Sequence, residues 1–227
     1  MSIDTARVGA ILFDVDGTLR DTDDQYVARV AALLRPMRWL LPERDQVKAA
    51  RWLVMRFEGP VNRLIGLADK LGLDGALHKF FDWASPRRSE RHQAHFALVP
   101  GAQKTVEILA QHFPLGVVTT RGADSTRAFL AATELAQHFP VVIDGLSTQY
   151  GKPAPDPVIR AAQQLGVAVE NCLMVGDTVV DVLAAKAAGA QAVGLLSGFG
   201  EEEELVAQGA DLLLPSVAEL PDALLKT

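Results

Sequence analysis

The stretch Val8-Gly9-Ala10-Ile11-Leu12-Phe13-Asp14-Val15-Asp16-Gly17-Thr18-Leu19 decides how the rest of the chain reads. Its first part, Val8–Phe13, is a short apolar run that ends in acid. Similar runs follow at Leu115–Thr119, Val141–Ile143, Leu173–Val175 and Ala192–Leu195. Each is rich in Val, Ile and Leu and too short for a helix. Continuous apolar strands of this kind belong to parallel sheets covered on both faces. Helical stretches separate the later runs. Ala102–Gln111 carries one apolar face, and Ser125–Ala136 follows Asp124 as N-cap. Pro157–Leu165 begins with proline in its first turn and stops at Gly166, and Val179–Ala188 stops at Gly189. The alternation predicts an α/β protein with a doubly wound parallel sheet.

The alternation fails between Leu19 and Leu98. That stretch offers no good strand, and its helical patterns are broken by Pro36, Pro42, Gly59-Pro60, Gly72 and Ser85-Pro86. It predicts an α-helical cap over residues 20–97, inserted into a core made of residues 1–19 and 98–227. The chain length agrees, because 227 residues make one domain and a half at roughly 150 residues each.

Composition narrows the classes. Hydrophobic residues form 49% and charged residues 22%, which excludes a mainly disordered chain. The net charge of −6 argues against a nucleic-acid binder. That charge is uneven: residues 20–97 hold 14 Lys and Arg against 10 Asp and Glu, and the rest holds 8 against 18. The asymmetry reflects either surface solubility or a lid that draws an anionic substrate toward an acidic, metal-bearing core. The single cysteine, Cys172, excludes an intramolecular disulfide and a cysteine-cluster metal site, and it reads as a small core residue. No apolar run reaches the 18 or so residues of a membrane span, so a soluble cytoplasmic protein is the expectation. Glu201–Glu204 reads as an exposed first helical turn, where acid suits the helix dipole.

The informative residues sit at predicted strand ends, where ligands bind in open α/β sheets. Asp14 and Asp16 end the first strand. Thr119-Thr120-Arg121 ends the second, Lys152 lies in the loop Gly151–Pro155 after the third, and Asp177 and Asp181 follow the fourth. On an extended strand end, residues two apart point the same way, so Asp14 and Asp16 could share one site. Two carboxylates that close favour a bound cation or a shared proton. Asp177 would add a third oxygen ligand, with Asp181 supporting through water, and hard oxygen donors suit Mg²⁺ rather than zinc. A phosphoryl group needs a cation, a hydroxyl and close backbone, which Lys152, Thr119 and Gly17 could supply. Taken singly, each has a plain alternative: a turn or cap for the Asp pair, a solvent-exposed side chain for Lys152.

In order and together, Asp14-Val15-Asp16-Gly17-Thr18-Leu19, Thr119, Lys152-Pro153 and Gly176-Asp177 with Asp181 resemble the four motifs of the haloacid dehalogenase-type hydrolase superfamily. The nearest likeness is to its phosphoglycolate-phosphatase-like members, which carry a helical cap on a Rossmann-like core. The resemblance implies Asp14 as nucleophile, forming an aspartyl-phosphate. It implies Asp16 as general acid and then general base, its backbone carbonyl touching the metal. Thr119 and Lys152 would hold the phosphoryl oxygens, and Lys152 would also restrain Asp14. Asp14 and Asp177 would ligate Mg²⁺, with Asp181 direct or outer-shell. Asp16 favours a phosphate ester over a halide, because a halide leaving group needs no proton.

Arg20, Thr120 and Arg121 depart from the usual pattern of such proteins. Arg20 and Arg121 contact either substrate phosphate or carboxylate, or they are surface arginines paired with Asp21 or Asp124. In the cap, Arg56, Glu58, Asn62 and Arg63 flank Gly59-Pro60, a loop aimed at the site or an ordinary helical turn. Trp39, Trp52 and Trp83 read as cap packing, and His78, His92 and His95 show no metal spacing. The expected partner is a small phosphorylated metabolite, with the chain a monomer or homodimer. The reading that results is a Mg²⁺-dependent phosphatase. A sugar phosphomutase is the alternative. A signalling receiver domain fits worse, because its acidic pair and phosphorylated Asp lie on different strands, and a catalytically idle binding protein would have no need of every motif residue.

Overall fold

The computed structural model describes residues 2–21 and 96–225. Residues up to Asp23 and from Ala97 onward cluster as one compact unit. The helical patterns, tryptophans, histidines and candidate loop read between residues 22 and 95 lie outside the described residues.

Six parallel strands form the sheet: β1 (Ala10–Phe13), β2 (Leu115–Val118), β3 (Val141–Ile143), β4 (Cys172–Gly176), β5 (Gln191–Leu195) and β6 (Leu212–Leu214). Their order is β3-β2-β1-β4-β5-β6, all neighbours parallel. The first five are the apolar runs of the sequence: β3 has the bounds read, and the other four are trimmed or extended by one or two residues. The doubly wound α/β class is therefore as predicted. β6 was not foreseen; Leu212–Leu214 is a short edge strand, two of its three residues only partly buried.

The helices that cover the sheet are α1 (Ala102–Leu109), α2 (Ala123–Ala132), α3 (Asp156–Leu165), α4 (Val179–Ala188), α5 (Glu202–Ala207) and α6 (Leu220–Leu225). α3 and α4 stop at Gly166 and Gly189, as read. α2 differs from its prediction. It starts at Ala123 with Gly122 as the capping residue, and Asp124 stands in the first turn instead. Its end is also earlier, because Glu134 takes a positive φ of 57° and a short 3-10 turn, Ala136–His138, follows. Glu202–Glu204 do form the acidic first turn of α5.

β1 is buried at every residue, as a central strand must be. Ala10 and Leu12 face one side, within a cluster that includes Met174 of β4, Val158 and Ala161 of α3, and Val182 and Ala185 of α4. Ile11 and Phe13 alternate to the other side, where Phe13 meets Phe139 edge-on at 5.9 Å. Cys172 opens β4 inside the core, and burial pushes its thiol up to about 11. It is an inert core residue, as read. Among the described residues, no helix is long and apolar enough to cross a membrane.

The chain leaves and re-enters this unit side by side. Leu19–Asp21 runs antiparallel to Ala97–Val99, with Asp21 N–H donating to the Ala97 carbonyl and Val99 N–H to the Leu19 carbonyl, each at 2.9 Å. Arg20, Asp21 and Ala97 are thus hydrogen-bonded to the core.

Leu12 makes a direct test of this packing. Leu12→Ala leaves a cavity under α3 and α4 and should lower the unfolding free energy by about 2–5 kcal/mol. Urea melts of both proteins read the difference, and a loss below about 1 kcal/mol would contradict a closed core around β1.

Candidate active site

Four strand ends converge. Asp14 follows β1, Thr119 follows β2, Lys152 lies in the loop after β3, and Asp177 follows β4, with Asp181 in the first turn of α4. β1 and β4 are neighbours where the strand order turns back, the crevice in which such sheets bind ligands. The register explains the meeting: Phe13 is level with both Val117 and Val175. One step further along each strand places Asp14 beside Val118 and Gly176.

At the centre is the Lys152 ammonium. It donates to Asp14 Oδ1 at 2.7 Å, to Asp181 Oδ1 at 2.5 Å and to the Val118 carbonyl at 2.9 Å. An ammonium has three N–H donors, and all three are committed. The Lys152 side chain is 2% exposed, which excludes the solvent-exposed alternative. Burial alone would lower its pKa, but Asp14 and Asp181 outweigh burial and hold it above the ordinary lysine value. Lys152 is therefore a fixed cation.

Asp14 responds to the same surroundings. Burial pushes its carboxyl from 3.8 up to about 7; Lys152 pulls it down, while Asp181 and Asp16 push it up. Asp181 is held from both sides. Its Oδ1 takes Lys152, and its Oδ2 accepts the Thr178 backbone N–H at 3.1 Å and hydroxyl at 2.6 Å. The α4 N-terminus thus fixes the carboxylate that Lys152 needs.

Asp177 is fully buried. The Thr18 hydroxyl donates to its Oδ1 at 3.1 Å, and the Phe199 N–H donates to its Oδ2 at 2.9 Å. Two glycines leave it room. A Cβ on Gly17, which has a φ of 80°, or on Gly198 would overlap the Asp177 carboxylate. Sequence reading passed over Thr18 and the Gly198-Phe199 loop. Thr18 lay inside a quoted motif, and the loop directly after β5 obeys the same strand-end rule that found the others.

Asp16 goes elsewhere. β1 ends at Phe13, the chain bends at Val15, and Asp16 bridges to Arg20. The extended strand end of the prediction is thus absent. The Asp16 carboxylate takes Arg121 Nη1 at 2.7 and 2.8 Å on its two oxygens, with Arg20 Nη1 at 3.7 Å. Arg121 does not pair with Asp124, whose salt bridge is to Arg127. The Arg121 backbone N–H donates to the Thr119 hydroxyl oxygen at 3.3 Å, and that hydroxyl's own hydrogen meets no described acceptor. Thr120 is half-buried beside them.

Asp14, Asp177 and Asp181 each place one carboxylate oxygen within 4.8 Å of the others. The Asp16 carboxylate is not in this set. Three acids against one ammonium leave a surplus of negative charge, and the donors are all hard oxygens. The residues fit a hard divalent cation.

Fold and site together define a doubly wound α/β protein with a lysine-braced carboxylate cluster at the switch point of its sheet. The chain belongs to the haloacid dehalogenase-like hydrolase family, whose model matches residues 11–195. It is similar to a phosphoglycolate phosphatase of Escherichia coli strain K12, 30% identical over 96% of this chain and 92% of that protein. A phosphoglycolate phosphatase of Nitrosococcus oceani is also 30% identical, over 94% and 95%. Among solved structures, a family hydrolase from Deinococcus radiodurans with bound phosphate and sodium superposes with a TM-score of 0.69, at 26% identity and 96% coverage of both chains.

The raised Asp14 pKa has a sign that can be checked. In cation-free protein the folded chain binds this proton more tightly than the unfolded chain. Stability from this group is full below about pH 4 and is lost as pH rises through about 7. Thermal midpoints of wild type and Asp14→Asn should therefore diverge across that window, the wild type losing ground as pH rises. Parallel pH profiles would mean that Asp14 does not carry the perturbed proton.

Proposed function

We propose that this hydrolase cleaves a small phosphomonoester by transferring the phosphoryl group to Asp14 and then to water. The observation that carries the reading is the buried Lys152 ammonium bonded to Asp14 Oδ1, which fixes that carboxylate at the switch-point crevice. Asp14 Oδ2 has no hydrogen-bond partner among the described residues and is the oxygen left to meet phosphorus. The similar phosphoglycolate phosphatases make a phosphorylated 2-hydroxy acid the first substrate to try.

In this mechanism Asp14 attacks phosphorus and the bond to the leaving oxygen breaks. Asp16 gives that oxygen a proton, then takes one from the water that cleaves the aspartyl-phosphate. The Thr119 hydroxyl already accepts from Arg121 N–H, so its own hydrogen is available to a phosphoryl oxygen. Lys152 serves chiefly as a brace. Its three donors are taken, and it reaches a phosphoryl oxygen only by exchanging one of them. Asp14, Asp177 and Asp181, with the Asp16 carbonyl, would hold Mg²⁺, which supplies the positive charge that lets an anionic nucleophile meet an anionic ester.

The test is orthophosphate release from a generic aryl phosphate and from phosphoglycolate. Asp14→Asn should cut kcat by about 10³-fold or more while keeping a cooperative melt. EDTA should silence the wild type and Mg²⁺ restore it. Full activity in Asp14→Asn would sink the mechanism. A sugar phosphomutase would convert sugar phosphates into isomers with little orthophosphate released, which product analysis separates from hydrolysis.

A further inference from the structure

Arg121 is used on one side only. Its Nη1 holds both oxygens of Asp16, at 2.7 and 2.8 Å. Its Nε is buried and, among the described residues, has no hydrogen-bond partner. Nε–H and the adjacent Nη2 form the side of a guanidinium that grips a planar anion with two parallel hydrogen bonds. Among the described residues, nothing bonds that side. A buried N–H left open in this way costs free energy that a ligand oxygen would recover.

The backbone around Arg121 is fixed. Its N–H donates to the Thr119 hydroxyl at 3.3 Å, and its carbonyl accepts the Gly145 N–H at 2.8 Å. A Cβ at Gly145 would overlap the Thr120 carbonyl, so the loop after β3 closes tightly over this segment. The guanidinium is thus held from both ends, by its backbone and by Asp16. It is not a loose surface arginine.

We propose that Arg121 determines specificity by binding, through its Nε and Nη2 edge, a carboxylate carried by the leaving group of the substrate. This rests on the hydrolytic reading above, in which Asp16 touches the leaving oxygen. A guanidinium in contact with Asp16 then lies on the leaving-group side of phosphorus. Thr119 and Lys152 lie on the phosphoryl side. A carboxylate one carbon from the ester oxygen is a two-oxygen anion of the kind that this edge of a guanidinium binds. The same contact ties recognition to chemistry: the cation that reads the substrate's acid also positions the group that protonates its ester oxygen.

The experiment compares two esters that differ only in charge, phosphoglycolate and its primary amide, with an aryl phosphate as a third substrate. The readout is the ratio of kcat/KM for acid over amide in wild type, Arg121→Gln and Arg121→Lys. Loss of a charge-assisted bidentate contact should lower that ratio about 10- to 100-fold in Arg121→Gln. Arg121→Lys keeps a point charge without the fork and should fall between. A purely structural role for Arg121, or one acting only through Asp16, slows both esters equally and leaves the ratio unchanged. That result, in variants with wild-type circular dichroism, overturns the proposal. So does a wild type that hydrolyses aryl phosphate without preferring the acid over the amide. A wild type inert toward all three esters overturns the hydrolytic reading itself, and this proposal with it.

Discussion

One ammonium group organises the site. Among the described residues, Lys152 is the only cation bonded to Asp14 and Asp181, and it sits with them away from solvent. Without it, two carboxylates would face each other at the buried end of a parallel sheet, with Asp177 close by. Such a group of like charges is not tolerated in low dielectric unless protons or cations answer it. The brace answers part of the charge, which is why Asp14 remains raised even with a lysine in contact. The remainder is the physical reason the cluster fits a divalent cation. It follows that the loop after β3 is as much a part of the site as the strand ends. It must deliver a lysine across β2, since the third bond of that ammonium is to the β2 carbonyl of Val118.

The sheet and the central acids were legible in the sequence for different reasons. Five strands stood out because burial on both faces forces unbroken apolar runs. Asp14 and Asp177 stood out as acids directly after such runs, and Asp181 by following Asp177 at four residues. Lys152 was legible only in company, since a lysine among prolines carries no sign of burial by itself. The Phe199 N–H that holds Asp177 was invisible, because a backbone donor leaves no trace in residue identity. The Arg121 contact with Asp16 joins residues 105 positions apart and depends on a bend at Val15 that periodicity cannot report. The start of α2 was misplaced because an acid was read as the cap where the backbone of Gly122 does that work.

That bend divides the labour of two aspartates that are nearly adjacent. Had the strand continued through Asp16, both carboxylates would have faced one cation, and neither would have had its own chemistry. Instead Asp14 is given to Lys152 and Asp16 to Arg121. A buried ammonium and a partly exposed guanidinium are different partners. One spends all three of its donors within the site, and the other holds its carboxylate through a single nitrogen.

The position of β1 in the sheet also bears on how the chain is made. β1 is central, yet its neighbours come late: Ile11 pairs with Leu115 on one side and Leu173 on the other. At a ribosomal pace of about 5–20 residues per second, an apolar strand waits roughly 5–20 s for its first partner and longer for its second. Its assembly is a late event on the growing chain, and the surroundings of the Asp14 carboxylate at its tip are completed only after β4 has emerged. The segment that anchors the site therefore spends that interval as an apolar strand without its sheet neighbours.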